Sequence, residues 1–465
     1  EHYSVLYAVE ESPVEPGVIW TGANDGPVHV TRDGGETWTD VTPPDMTPEG
    51  RIQIIDPSPH DPAKAYFAGY RTLLGDFTPF IYRTEDYGES WTLLTPGDNG
   101  IPSDFPTRVI REDPEREGLL YAGTEFGMFV SFDDGGSWQP FQFNLPTTPI
   151  TDIKVNDGDL VLSTMGRGFW IMDDLSPIRQ WGDAMAMGNA HLFQPSDAIR
   201  RRGGGGYGRG APAPDEPQWS PSGAMVDYHL PSSAGDVTLE FLDAGGNVLR
   251  SFESDGSGTT TREEQEMRGP FTTSSGQPVV NNGEGAHRFV WDLSVPGPEG
   301  SRRGGPLVVP GEYQVRLTVD GRSQTRSFDV LMDPRVEADG VTVADLQDQH
   351  DLALEIIAAM EDAQSTIERL EEAMQRAAEG SDVSEELADI EAALVTDPDD
   401  EISSYPQPML ADQLSYLYGN STAADQKPGE DMYDRLDVLK SELEEHKANL
   451  DRLIRTITED GDGLQ

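Results

Sequence analysis

Short apolar runs, each broken by Gly, Pro or Asp, alternate with polar turns throughout residues 1–178 and predict β-strands. The segments 20–38, 121–138 and 162–174 share one pattern, in which a small residue and Gly precede a polar turn, a second Gly, an apolar run and Asp. Two short strands joined by such a turn form a hairpin. This part of the chain therefore repeats one hairpin several times.

An eight-residue motif recurs in the same region, as TRDGGETW at 31–38, TEDYGESW at 84–91 and SFDDGGSW at 131–138. Its Asp residues lie 53 and 47 positions apart, which is close to the length of one four-stranded propeller blade. A fixed aromatic residue at such a period predicts a β-propeller. About four blades fit within residues 1–178, so we expect an incomplete propeller there.

The residue types of this motif suit a tight turn. An Asp accepts hydrogen bonds from the N–H groups of the turn, and Gly adopts positive φ without steric cost. The Trp ring is expected to insert between neighbouring sheets. Because the motif recurs in several blades, whereas an active site occurs once, we assign these residues a structural role and not a catalytic or metal-binding one: Asp33, Trp38, Asp86, Trp91, Asp133 and Trp138.

Alternating strands return in residues 218–333, with hairpin turns at 243–246 and 320–321. Regularly spaced strands with such turns predict a small immunoglobulin-like or fibronectin-like β-sandwich. We expect Trp291 to be the aromatic residue of its core. Between the two β regions, residues 179–217 are predicted to be a linker, which contains a loop rich in Gly, Arg and Pro.

The linker carries the dense positive cluster of the chain. Two roles are open for it, namely a contact with an anion or RNA and a disordered loop whose field is cancelled by flanking acidic residues. We favour the disordered loop. The cluster consists of Arg200, Arg201, Arg202 and Arg209.

Residues 341–460 are predicted to be helical, because apolar residues recur there at steps of three and four. One stripe runs from Leu346 to Ala377 and a second from Met432 to Ile457, with shorter helical runs near 384–395 and 408–418. A helical hairpin or small bundle would bury both stripes. We expect the two long helices to pack antiparallel within one chain; the alternative is that each stripe pairs with another protein chain.

The repeated motif and the segment STMGRGFWIMDDLSPIRQW (163–181) resemble those of the Asp-box (BNR) repeat propellers, the superfamily that includes sialidases and sortilin-type propellers. The resemblance is closest to large prokaryotic proteins described as glycosyl hydrolase or sortilin-like, and it extends over the whole chain. It implies a propeller that begins upstream of Glu1. The partners would then include upstream blades of the same protein.

Charge narrows the range of partners. The 465 residues contain 33 Lys and Arg against 84 Asp and Glu, which gives a net charge of −51, and only five of the cations are Lys. Such a chain repels phosphate backbones and anionic membranes, so we expect no nucleic-acid partner. A carboxylate-rich, Lys-poor composition is typical of halophilic proteins, whose self-repulsion is screened by salt.

If the charge is a halophilic adaptation, the protein should become more compact between low and molar salt, because screening relieves repulsion among its carboxylates. Small-angle scattering and circular dichroism across a salt series measure this change. Equal compactness and stability at low ionic strength would indicate an ordinary acidic secreted protein instead.

The sequence contains no Cys, which excludes disulfides, thiol nucleophiles and Cys-ligated zinc. The eight His residues are scattered singly, and no phosphate-binding or dinucleotide-binding motif is present, so we expect no metal and no cofactor. No apolar run reaches the length of a membrane span, and no signal peptide is visible after Glu1. We expect a secreted, periplasmic or cell-surface location, with any signal sequence upstream.

Arg167 is the candidate ligand-binding residue. It lies between Gly166 and Gly168, at the position where the first and third blades carry Asp25 and Phe126. A guanidinium held at a strand end could bind a carboxylate in the central channel. The alternative, which we favour, is that Arg167 pairs with an Asp of the neighbouring blade.

We expect a multidomain, mainly β protein that binds polypeptide or glycan ligands. One alternative is a sialidase-like glycoside hydrolase, which would need two carboxylates or a Tyr–Glu pair at its site. Carboxylate pairs are inevitable among 84 acidic residues and so do not decide the question. That site could lie partly in upstream blades. The other alternative is a non-catalytic extracellular scaffold.

Overall fold

The computed structural model describes residues 5–46, 49–202, 221–254, 279–298, 304–377, 380–396 and 407–462. Within these ranges the chain is mainly β, and its long helices lie toward the C-terminus. The chain divides into two compact units, Glu1–Gly188 and Asn189–Gln465. In the described ranges, no helix is long and apolar enough to cross a membrane.

Four antiparallel sheets follow one another along the first unit. Sheet 1 contains β1 (Leu6–Glu11), β2 (Ile19–Ala23), β3 (Val28–Thr31) and β4 (Thr39–Asp40). Sheet 2 contains β5 (Arg51–Pro57), β6 (Ala65–Tyr70), β7 (Phe80–Thr84) and β8 (Thr92–Leu93). Sheet 3 contains β9 (Thr107–Glu112), β10 (Leu120–Thr124), β11 (Gly127–Ser131) and β12 (Gln139–Pro140). Sheet 4 contains β13 (Ile150–Asn156), β14 (Asp159–Thr164) and β15 (Phe169–Met172).

Each sheet is a meander in which consecutive strands pair, and the first strands of successive sheets contact one another. Apolar side chains fill the space between successive sheets, such as Trp20 and Phe67 between sheets 1 and 2. Meanders that pack face to face around their first strands are typical of propeller blades. After β15 the chain enters helix α1 (Ser176–Met187).

The described residues of the second unit form two sheets. The three-stranded sheet contains β16 (His191–Leu192), β18 (Ala224–Leu230) and β21 (Gly285–Trp291). The five-stranded sheet contains β17 (Ala198–Arg200), β23 (Arg322–Met332), β22 (Gly311–Val319), β19 (Val237–Asp243) and β20 (Val248–Glu253). Alternate residues of both sheets point into one hydrophobic core, in which the rings of Trp291 and Phe241 stack with centroids 4.5 Å apart.

The structure differs from the predicted linker at residues 189–202. β16 pairs with β18, and β17 pairs in parallel with β23, so both short strands belong to the sheets of the second unit. Strands this short leave no recognisable alternation in the sequence, which is why they were missed. Arg209 and the rest of 203–217 lie outside the described residues.

Two residues of the positive cluster are neither disordered nor free to bind an anion. The Arg200 side chain is buried and lies 2.5 Å from the Asp425 carboxylate, and it donates a hydrogen bond to the Val308 carbonyl. Arg202 also pairs with Asp425, at 2.8 Å. Both expectations for these two residues were wrong, because their partner lies more than 200 positions away in the sequence.

In the part of the chain that the structure describes, five helices follow the sheets of the second unit: α2 (Pro334–Ala338), α3 (Val343–Arg376), α4 (Asp382–Leu394), α5 (Leu410–Ser421) and α6 (Glu430–Asp462). Helix α3 begins at a capping box, in which Thr342 and Asp345 satisfy each other's main-chain N–H groups. The apolar faces of α3, α4, α5 and α6 share one core. The long helices therefore bury their stripes within the chain.

The expected antiparallel packing of the two long helices was wrong. Contacts between α3 and α6 occur in the same order along both helices, so the helices run parallel: Asp348 with Tyr433, Glu355 with Lys440, Asp362 with Lys447, and Arg369 with Asp451. The reason is that α4 and α5 together run back along the bundle. Gln349, near the start of α3, bonds to the carbonyl of Ser421 at the end of α5. Two reversals leave α6 parallel to α3.

Candidate ligand-binding site

The three eight-residue motifs (boxes) at 31–38, 84–91 and 131–138 form the same turn. In each, the Asp carboxylate accepts the main-chain N–H and the hydroxyl of the residue four positions later, at 2.6–2.9 Å. The same carboxylate accepts a hydroxyl from two positions earlier, at 2.7–2.8 Å. Hydrogen bonds from Thr37 lower the pKa of the Asp33 carboxyl to about 2. The three hydrogen bonds inside its own turn occupy most of the acceptor positions of each carboxylate, which leaves little capacity for a ligand.

Replacing Asp133 by Ala should cost about 1–3 kcal/mol, because the N–H and hydroxyl of Ser137 lose their acceptor. Asp133→Asn keeps one acceptor oxygen and should cost less. Thermal unfolding of both variants measures the difference. Unchanged stability together with lost ligand binding would show that the box is functional and not structural.

The Trp residues of the boxes occupy different surroundings. The indole N–H of Trp91 donates to the Val41 carbonyl at 2.6 Å, and that of Trp138 donates to the Leu94 carbonyl at 3.0 Å. In both cases the acceptor follows the last strand of the preceding sheet. Trp38, in sheet 1, is 44% exposed, whereas Trp138 is 4% exposed. Trp91 packs against the core between sheets 1 and 2, and Trp138 lies in the core between sheets 2 and 3. Trp38 has no preceding sheet beside it among the described residues.

Arg167 lies in the exposed turn between β14 and β15. Its main-chain N–H donates to the Thr164 hydroxyl, and its carbonyl accepts the indole N–H of Trp170 at 3.0 Å. Within the described ranges its guanidinium makes no ion pair within 4.0 Å, so the pairing with an Asp that we favoured is not found there. Its role in ligand binding stays a prediction.

A shallow pocket of about 480 Å³ opens where loops of sheets 2 and 3 meet. In a meander, the turn between the second and third strands lies at the same end as the start of the first strand. That geometry brings together the β6–β7 loop, the β8–β9 connection, the β10–β11 turn and the β12–β13 connection. One or two residues from each segment line the pocket: Phe77, Asp104, Phe105, Phe126 and Thr147.

Aromatic side chains dominate this pocket. The rings of Phe105 and Phe126 are 4.8 Å apart between centroids and are tilted against each other. Phe77 is 50% exposed and Phe126 is 44% exposed, so about half of each side chain is open to solvent. Asp104 is the single charged residue of the lining. Aromatic walls with a small number of polar groups, here Asp104 and Thr147, are typical of a binding site.

A hydrogen-bonded triad of polar side chains adjoins Phe126, because one of its members is the preceding residue, Glu125. Glu125 accepts the hydroxyl of Tyr70 at 2.6 Å and the Nε of Arg108 at 2.7 Å, and Arg108 also donates to the Tyr70 oxygen at 3.1 Å. Burial and the bond to Glu125 raise the pKa of the Tyr70 hydroxyl. The triad connects β6, β9 and the β10–β11 turn, and so fixes the backbone beside Phe126.

A Tyr–Glu pair does occur, but it is buried between sheets 2 and 3. The Tyr66 hydroxyl donates to Glu112 at 3.2 Å and to Asp134 at 2.5 Å, and Lys64 lies 3.0 Å from Asp134. Tyr66 is 0% exposed and Glu112 is 5% exposed. Burial and the Glu112 charge raise the pKa of Tyr66 far above its ordinary value. A nucleophilic Tyr requires the opposite shift and an open approach, so this cluster binds the two sheets together.

The residues of the pocket were not predicted from the sequence. Phe126 was noted only as the residue that occupies the position of Arg167 in the repeated turn. Arg167 lies close in the fold to the pocket wall. Its turn is held to the β12–β13 connection because Met165 N–H donates to the Pro149 carbonyl and Thr148 donates to the Met165 carbonyl. Among the described residues, no group of three or more His, Asp or Glu side chains could hold a metal ion.

No protein family and no curated protein matches this chain. Several solved structures match weakly, and they are β-propeller proteins. YCF48 bound to D1 peptide is 16% identical, with a TM-score of 0.28, over 37% of this chain and 51% of that one. A GH74 xyloglucanase from Xanthomonas campestris is 15% identical, with a TM-score of 0.30, over 37% of this chain and 28% of that one.

A GH74 enzyme from Niastella koreensis is 14% identical, with a TM-score of 0.28, over 62% of this chain and 37% of that one. This chain therefore spans about half of the YCF48 chain and less of either GH74 enzyme. Structural similarity at these TM-scores does not indicate what this chain does.

Proposed function

We propose that this chain is a non-catalytic binding protein of the Asp-box propeller class, and that the pocket lined by Phe77, Phe105 and Phe126 holds a polypeptide ligand. The observation that carries the proposal is the pocket itself, an exposed aromatic surface assembled from four loop segments of the first unit. Exposed aromatic rings are common at protein-binding surfaces, because they bury a large area with few rotatable bonds.

The lining is unfavourable for glycoside hydrolysis. That reaction normally needs two carboxylates across the scissile bond, and Asp104 is the only carboxylate of the lining. Glu125, the nearest carboxylate in the adjoining triad, is held by Tyr70 and Arg108. The Tyr66–Glu112 pair is buried. A polypeptide side chain, in contrast, requires only the apolar walls and one polar group.

Selection of peptides from a displayed random library, by their binding to the immobilised full chain, tests this function. Peptides enriched by the wild-type chain should be lost with Phe105→Ala/Phe126→Ala and kept with Phe169→Ala. Phe169 is a matched control because it is an 80% exposed Phe on β15, outside the pocket lining. A glycan array and an assay for sugar release from polysaccharides are run in parallel. Glycan binding abolished by the double variant, or hydrolysis, would contradict the proposal.

We further propose that the open face of sheet 1 is covered by an upstream blade of the same protein. Trp91 and Trp138 each donate to a carbonyl that follows the last strand of the preceding sheet, and Trp38 has the same position in its own box. A preceding blade would provide the acceptor and cover the exposed ring. In a longer polypeptide that contains upstream blades, Trp38 fluorescence should shift to shorter wavelength; an unshifted spectrum would argue against this arrangement.

We also propose that the protein acts outside the cytoplasm, in the secreted, periplasmic or cell-surface fraction. The support is the resemblance of the repeated motif to the Asp-box propellers, the superfamily that includes sialidases and sortilin-type propellers. Fractionation of the producing cells tests this location. Recovery in the cytoplasm alone would contradict it.

A further inference from the structure

The charge of the pocket lining is negative, and it comes from one residue, Asp104. Asp104 is exposed, and within the described residues its carboxylate takes part in no ion pair. The other four lining residues are three Phe and one Thr, none of which carries a charge. The pocket therefore offers one negative group beside three aromatic rings.

Arg167, whose turn is held to the β12–β13 connection, makes no ion pair within the described ranges, but it lies outside the pocket lining. The cations in or directly beside the lining segments already have partners. Arg108 is bound by Glu125 at 2.6 Å, and Arg71, in the same loop as Phe77, lies 2.9 Å from Asp76. An anionic ligand would therefore meet no spare positive charge in this lining. It would also approach a chain whose net charge is −51. The long-range field and the local lining both favour a cation.

Aromatic faces and a carboxylate together are the chemistry that recognises organic cations. A guanidinium or ammonium group is attracted to the negative face of an aromatic ring, and a carboxylate adds a charge-assisted hydrogen bond. A planar guanidinium can stack on a ring and keep its N–H groups directed at the carboxylate at the same time. An ammonium group cannot do both as well, so Arg suits this lining better than Lys.

We propose that this pocket binds a cationic side chain, Arg in preference to Lys, presented by the polypeptide ligand. This inference rests on the proposed function and specifies its ligand class. The Phe105 and Phe126 rings pack against the side chain, and Asp104 pairs with its charged end. The acidic surface around the pocket raises the rate of encounter with basic segments.

The test uses dye-labelled Gly-Gly-Arg-Gly-Gly, its Lys counterpart and its citrulline counterpart, in fluorescence anisotropy with the full chain at physiological salt. Citrulline has the shape of Arg without its charge. We expect the Arg peptide to bind roughly tenfold more tightly than the citrulline peptide, and more tightly than the Lys peptide. Methylguanidinium competing as well as the Arg peptide would indicate a small free cation as the ligand and would overturn the polypeptide source.

Two matched variants distinguish binding at the pocket from attraction by the overall negative charge of the protein. Asp104→Asn should remove the preference for Arg over citrulline, whereas Asp98→Asn should leave it. Asp98 is an exposed carboxylate of the same β8–β9 connection that does not line the pocket, so both variants change the net charge equally. An equal loss in both variants would overturn the proposal, because the preference would then come from the diffuse charge.

Failure of this inference is distinguishable from failure of the proposed function. Displayed peptides that depend on Phe105 and Phe126 but contain no Arg or Lys would keep the function and reject the cationic ligand. Absence of any peptide that depends on the pocket would reject both. Circular dichroism of each variant should match the wild type, since all substituted positions are at least partly exposed.

Discussion

Replacement of Trp138 by Ala should lower the free energy of unfolding of the first unit by about 3–5 kcal/mol. The Trp138 ring is 4% exposed, packs in the core between sheets 2 and 3, and donates its indole N–H to the Leu94 carbonyl. Its loss leaves a large cavity and removes one of the two hydrogen bonds to the Leu94 carbonyl, the other of which comes from the Asn99 side chain. Urea unfolding followed by circular dichroism measures the effect.

Trp38→Ala is the matched control, because it removes the same side chain from the same position of another box. Trp38 is 44% exposed and has no preceding sheet among the described residues. We expect a loss of no more than about 1 kcal/mol. Equal losses in the two variants would contradict the conclusion that each box Trp stabilises the contact with the preceding sheet.

Leu443→Asp should strongly destabilise the helical part, with a loss above about 4 kcal/mol. Leu443 is 2% exposed in the core that α3, α4, α5 and α6 share. The substitution removes packing and places a carboxylate in an apolar site without a partner. The helical circular dichroism signal of the full chain should melt at a markedly lower temperature.

Val438→Asp controls for the introduction of a charge into α6, because Val438 is 45% exposed on the same helix. This variant should stay within about 1 kcal/mol of the wild type. Sedimentation of both variants separates intrachain from interchain packing. If Leu443→Asp instead dissociated a dimer and left the helices folded, the shared core within one chain would be the wrong account of these helices.

Individual hairpins and helices could be predicted from local sequence patterns. The repeated turn residues located the hairpins of the first three sheets, and the apolar stripes located α3 and α6 to within a few residues. These features depend on neighbours in the sequence, because hairpin turns and helical faces are set by residues two to four positions apart.

Features that join residues far apart in the sequence could not be predicted, because local patterns contain no information about such contacts. A stripe defines which face of a helix is buried but not the direction of its partner, so α6 was expected antiparallel to α3 and is parallel. The ion pair of Arg200 with Asp425 joins residues that no local pattern connects. The pocket combines Phe77, Phe105 and Phe126 from three separate loops, each of which is unremarkable alone. Only the fold brings these rings together.

Hydrogen–deuterium exchange of the full chain with a display-selected peptide tests the central claim, which is that the first unit binds its ligand at the aromatic pocket. The account predicts slower exchange in the four segments that line it, at 70–79, 99–106, 124–128 and 144–149, and no such change in the Phe105→Ala/Phe126→Ala variant. Protection confined to any other part of the chain, with these four segments unchanged, would contradict the claim.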